Sequence, residues 1–147
     1  SDVEEYLKKY VGEIYVIQDT KDMVYIGSDL PDEYAHSNYT MLLKGANAKA
    51  KANATQGLPE LLEIANEKEY EENRKEKHSK HAKYGWYSYV TRFALPVYGK
   101  NGEIERYNIF RAIMLVRHAK DKKMYLYDMI KIKKETSNLF QSKDLTQ

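Results

Sequence analysis

Apolar positions recur along this chain with two periods, and the change falls at Gly85. Before it they return every three or four residues in short segments, the period of helices; after it they alternate, the period of strands. Val3, Leu7 and Tyr10 form one stripe of a helix over Val3–Tyr10, with Asp2 as N-cap and Gly12 as stop. Glu13–Ile17 and Met23–Ile26 read as short strands around a turn at Asp19–Asp22, and Gly27–Ser37 as loop. A second helix is expected over Tyr39–Thr55, capped by Asn38 and stopped by Gly57. There Leu42, Ala46, Ala50 and Ala54 give a stripe narrow enough to lie close against a sheet. Pro59 suits the first turn of a third helix over Leu58–Glu69, which turns Leu58, Leu61, Leu62 and Ala65 inward.

Glu67–Lys83 is dense in mixed charge and predicts an exposed helix extension followed by a loop. From Gly85, Tyr87, Tyr89, Thr91, Phe93, Leu95 and Val97 point one way, and Trp86, Ser88, Val90, Arg92, Ala94 and Pro96 the other. Pro96 places that strand at an edge or at a bulge. Asn101-Gly102 is a hairpin signal, Glu103–His118 the return strand, and Lys123–Lys134 a third strand after a turn at Ala119–Lys122. The expected class is α+β: N-terminal helices packed on a C-terminal antiparallel meander, in one domain over residues 1–147. Within it, residues 1–11 read as a helix derived from a linker and residues 138–147 as a loose tail.

Charge changes this picture more than length does. Residues 1–33 carry nine acidic and three basic side chains, and residues 34–147 carry 13 and 21, so the net +2 conceals an acidic start and a basic body. A basic body attracts polyanions, although many proteins without such partners share it. Fourteen tyrosines against three phenylalanines suit either a half-wet sheet face or base stacking. The absence of cysteine excludes disulfides, thiolate nucleophiles and zinc fingers, and suits a reducing compartment. No apolar run approaches the roughly 18 residues of a membrane span, and the opening residues lack a signal-peptide pattern.

The candidate chemistry is cationic. Arg92 and Arg111 lie on strands, Arg117-His118 ends one, and Lys133-Lys134-Glu135-Thr136-Ser137 closes another. Each has a plain alternative: Arg92 a salt bridge to a glutamate, the closing lysines a solvated sheet edge. Lys44, Asn47 and Lys51 share one helix face, which aligns two ammonium groups or is merely a solvated face. His36 suits an ordinary surface role. His78 and His81 have i, i+3 spacing but no third ligand at a convincing offset, so no metal site and no cofactor are expected. These residue types match metal-free RNA cleavage. In that reaction the ribose 2′-hydroxyl attacks phosphorus, a base removes its proton, an acid protonates the leaving 5′-oxygen, and cations stabilise the phosphorane.

The stretches Leu43–Asn53, Gly85–Tyr98, Arg106–Phe110, Leu115–His118 and Tyr125–Ser137 resemble the phage and mobile-element nuclease domains of the barnase–EndoU–colicin–RelE superfamily. Those domains occur in MuF-type phage proteins, polymorphic toxins and large polyvalent proteins. The resemblance spans residues 12–137 and implies helices on one side of an antiparallel sheet and a metal-independent ribonuclease, with tRNA a target in the toxin branches. It implies catalytic roles for His78, Arg92, His118, Lys134, Thr136 and Ser137, and RNA-binding roles for Lys44, Lys51, Arg117 and Lys133. The expected partners are RNA and an acidic immunity or antitoxin protein, with no membrane, in a bacterial cytoplasm or a target-cell cytoplasm after delivery. The other reading of the same residues is a non-catalytic nucleic-acid- or protein-binding module of a mobile element.

Overall fold

The alternating half of the chain forms β4 (Trp86–Tyr98), β5 (Ile104–His118) and β6 (Met124–Lys134), an antiparallel meander at close to the expected boundaries. The computed structural model describes residues 1–71 and 82–135; His78, His81, Thr136, Ser137 and the tail 138–147 lie outside them. Ahead of the meander come α1 (Asp2–Leu7), β1 (Ile14–Ile17), β2 (Asp22–Tyr25), α2 (Leu30–His36), α3 (Asn38–Leu42), α4 (Gly45–Ala54), α5 (Leu58–Glu63) and β3 (Asn66–Glu71). The class is α+β. The sheet is mixed and six-stranded, in the order β1-β2-β6-β5-β4-β3, because the β1–β2 hairpin joins β6 in parallel and β3 joins β4.

Three segments differ from the sequence expectation. Asn66–Glu71 is a strand, not a helix extension: β4 offers an unpaired edge over Trp86–Val90, and a charged strand such as β3 is a common guard for a sheet edge. Gly27–Ser37, expected as loop, contains α2, with Pro31 in its first turn. The helix expected over Tyr39–Thr55 breaks at Leu43–Lys44, which are extended, and Gly45 takes φ +58 to start α4. The cap is Ser37, whose Oγ accepts from the Thr40 N–H at 3.1 Å. After the break only Ala50 and Ala54 of the expected stripe are buried, while Leu42 is exposed. Pro96 behaves as expected, since β3 pairs with β4 only as far as Val90 and leaves the outer edge at Pro96 without a ladder.

The core lies between the helices and one face of the sheet. Tyr89, Phe110, Ala112, Met114, Val116, Leu126, Met129 and Ile132 meet Leu7, Leu30, Tyr34, Ala50, Leu58 and Leu62. On β6 the core residues Leu126, Met129 and Ile132 fall three apart rather than two. Two register shifts against β5 allow this, and Lys131, at φ +53, lies within one of them. The opposite face holds a smaller cluster of Ala82, Trp86, Leu115 and Ile130, with Tyr127 against Trp86 at 4.9 Å between ring centroids.

The sheet curls strongly. Two strands separate β2 from β4, yet Tyr89 donates to Asp22 Oδ2 at 2.6 Å, and Lys68 of β3 pairs with the same oxygen at 2.9 Å. Burial alone would raise the Asp22 carboxyl. Hydrogen bonds from Thr20, Tyr89 and Lys68, with the Lys68 charge, outweigh burial and hold it below its ordinary value of 3.8. A lowered carboxylate stabilises the fold above that ordinary value, and its contribution is lost as pH falls through the folded value. The stability difference between wild type and Asp22→Asn, read from urea unfolding at stepped pH, should therefore be largest near neutrality and shrink below pH 3.8. A difference constant with pH would mean that the carboxylate charge plays no part in closing the sheet.

Where α4 crosses β6, Lys51 Nζ donates to Asp128 Oδ1 at 2.6 Å and to Thr40 Oγ1, with both charged side chains only 3 % exposed. The Met129 N–H also donates to Asp128 Oδ1 (2.8 Å), and Tyr34 OH to the Lys51 carbonyl (2.6 Å). Just beyond, the Ile132 N–H donates to Tyr39 OH at 2.7 Å, so α3 closes the part of the β6 edge that β2 does not reach. Among the described residues, no helix is long and apolar enough to cross a membrane.

Candidate nucleic-acid interface

Strand register decides which of the cations meet. Arg92 of β4 stands opposite Arg111 of β5, and Arg111 stands opposite Lys133 of β6. Residues directly paired across strands share a face, so these three form one row across the sheet, on the face away from the main core. Glu135, one strand position past Lys134, returns to this row: Arg92 Nε donates to Glu135 Oε1 at 2.6 Å, with the two side chains 47 % and 29 % exposed. Its backbone N–H continues the ladder to the Ile109 carbonyl at 2.8 Å. Among the described residues, Arg111 and Lys133 have no ion pair.

Like charges directly opposite one another destabilise a sheet, and a single carboxylate leaves the row with a net positive charge. The cost is small while water screens the row, and a polyanion laid across it converts repulsion into attraction. A phosphodiester would meet two guanidinium groups and an ammonium beside a carboxylate held at fixed distance. Those are the cation and base components of metal-free phosphoryl chemistry.

The remaining sequence candidates are dispersed. His118 lies on the opposite face from Arg92, because it is adjacent to Arg117, the residue paired with Trp86 on Arg92's own face. Arg117 does share the face of the row but sits six residues from Arg111 along β5, roughly 20 Å away. Its Nη2 lies 3.3 Å from Asp29 Oδ2, and its guanidinium lies 4.4 Å above the Tyr125 ring, in an open cleft of about 890 Å³. Its charge is thus matched to Asp29 and does not extend the row. Lys134 pairs with Phe110, on the face opposite Lys133.

The expected lysine pair on the helix does not form. Lys44 is exposed at the start of α4, whereas Lys51 is buried against Asp128, so the RNA-binding role for Lys51 is corrected to a structural one. The helix break at Leu43–Lys44 is the physical reason, since it rotates α4 relative to an unbroken helix and turns Lys51 inward. His78, Thr136 and Ser137 lie outside the described residues. Glu4, Asp32 and His36 also converge, with ligand atoms within 4.8 Å of one another, and Glu4 Oε1 contacts His36 Nε2 at 3.0 Å, which ties α1 to α2. The His36–Glu4 hydrogen bond holds the exposed Glu4 carboxyl below its ordinary value.

Sequence reasoning therefore missed Glu135, and named Arg111 as a strand cation without giving it a role in the site. The hairpin signal at Asn101-Gly102 does not by itself give the register: the chain turns over Lys100-Asn101, pairs Tyr98 with Ile104, and a shift between Val97 and Tyr98 then brings Arg92 opposite Arg111. No protein-family model matches the chain, and no curated protein or solved structure matches it.

Proposed function

We propose that this chain is a metal-independent endoribonuclease that works on the open face of its sheet, with Arg92, Arg111, Lys133 and Glu135 at the centre. The observation that carries this reading is the in-register row of three cations with one carboxylate held against it. RNA supplies its own nucleophile, the 2′-hydroxyl, so the protein needs only a base, an acid and fixed positive charge. In this reading Glu135 takes the 2′-hydroxyl proton while Arg92 fixes its orientation. Arg111 and Lys133 stabilise charge on the phosphorane oxygens. The resemblance gives His78 a catalytic role, and protonation of the departing 5′-oxygen is the role this scheme leaves for it. The resemblance to nuclease domains of the barnase–EndoU–colicin–RelE superfamily points to the same activity. An acidic inhibitor protein would cover the same row by charge complementarity.

The test is incubation with total tRNA in EDTA. Cleavage products ending in a 2′,3′-cyclic phosphate are expected. Salt-sensitive binding without cleavage would overturn the catalytic reading and leave the alternative of a docking module, to which the closed Arg92–Glu135 pair is equally suited.

A further inference from the structure

The sheet end that carries His118 is lined with aromatic rings that the cationic row does not use. Tyr70 and Tyr87 are cross-strand partners with ring centroids 5.2 Å apart. His118 continues the series at 6.0 Å from Tyr87, and Tyr84 at 5.3 Å from His118. Four rings thus form one strip on the core-side face, and its two ends are open: Tyr70 is 55 % and Tyr84 38 % exposed.

The strip is held in place. Backbone bonds tie the Tyr84 N–H to the His118 carbonyl and the His118 N–H to the Gly85 carbonyl, both at 3.0 Å. His118 Nε2 lies 3.1 Å from the Lys122 carbonyl. A carbonyl oxygen only accepts, so Nε2 carries hydrogen and the ring plane is fixed. Gly85 has φ +98, and a Cβ there would lie 2.5 Å from the Tyr70 hydroxyl, so the glycine makes room for Tyr70. The Lys83 ammonium lies 5.8 Å from the Tyr84 ring at one open end, while Lys68, 4.5 Å above Tyr87, is already paired with Asp22 and holds that ring in place.

Rigid aromatic faces beside cations are what unpaired bases stack on while their phosphates are neutralised. We infer that the Tyr70–Tyr87–His118–Tyr84 strip is a second RNA contact, a stacking surface for unpaired bases, on the face opposite the Arg92–Arg111–Lys133 row. A blunt duplex keeps its bases inside the helical stack and cannot use the strip, so the preferred substrate presents single-stranded segments. The inference rests on the RNA-binding part of the proposed function and not on its catalytic part. His118, expected as a catalytic residue from the resemblance, becomes a stacking residue.

The experiment is fluorescence anisotropy with a labelled oligouridylate and with a blunt RNA duplex, at fixed salt. Tyr70→Ala and Tyr84→Ala should each weaken oligouridylate binding by about tenfold and leave duplex binding unchanged. Tyr84→Phe, which keeps the ring, should bind like wild type, as should Tyr98→Ala, which removes an exposed tyrosine elsewhere. Equal losses on both probes, or a Tyr84→Ala variant that binds like Tyr98→Ala, would overturn the inference. So would a fall in molar mass by light scattering in Tyr84→Ala without loss of RNA binding, which would make the strip a self-association surface. If strip variants lose affinity while Arg111→Gln does not, the cationic row fails and the strip stands. A wild-type protein that binds neither probe would sink both.

Discussion

Replacing Lys51 by methionine is expected to cost the fold about 3–5 kcal/mol, measured by urea unfolding, because it strands the Asp128 carboxylate in the interior. Both charges are 3 % exposed and 2.6 Å apart. Burial pulls the Lys51 ammonium below its ordinary value even though Asp128 works against it. Burial likewise lifts the Asp128 carboxyl even though Lys51 works against it. Taking two charges out of water offsets much of their mutual attraction, so a buried pair of this kind adds little net stability. Its effect is to position: Lys51 anchors α4, Thr40 and Tyr34 to the bulged part of β6. The double variant Lys51→Met with Asp128→Leu should therefore recover most of the loss, since apolar replacement of a buried pair is often neutral or stabilising. A single Lys51→Met change that costs no more than Lys44→Met, at the exposed start of the same helix, would contradict the buried pair.

The second large effect concerns the cationic row. Glu135→Gln is expected to reduce tRNA cleavage by about 10²–10⁴-fold with RNA affinity nearly unchanged, as befits loss of a base that acts only during the reaction. Arg111→Gln should lower the rate by about 10²–10³-fold through lost stabilisation of the phosphorane. It should also weaken binding and make it less sensitive to salt. His118→Ala should leave the cleavage rate of saturated enzyme near wild type, because His118 lies on the other face of the sheet. If His118→Ala abolishes cleavage while Glu135→Gln does not, the catalytic centre is at the strand end and the row is wrong.

Arg92 illustrates how a residue's alternative reading and its functional reading can coexist. The sequence alone suggested either a salt bridge to a glutamate or a place in a site. The salt bridge exists, to Glu135, and among the described residues it is the pair that gives the row its one carboxylate. Lys51 illustrates the opposite outcome. Its spacing from Lys44 was real, but spacing has meaning only along an unbroken helix, and Gly45 at φ +58 interrupts this one.

By itself the amino-acid sequence determined the two-part layout and the hairpin at Asn101-Gly102 that joins the first two strands of the meander. These follow from local periodicity and turn chemistry, which act between near neighbours. Only the tertiary structure decided that Arg92 meets Arg111 and that Lys133 and Glu135 complete the row, because register shifts near the β4–β5 turn and along β6 set the pairing and no alternation pattern announces them. The same holds for β3, whose charged residues suit a helix as well as an edge strand until the exposed edge of β4 supplies a ladder. It holds also for Asp22, Tyr89 and Lys68, which meet because the sheet curls, a consequence of strand twist summed over the whole sheet. Contacts made by register and curl depend on the accumulated geometry of many residues, and no short stretch of sequence contains them.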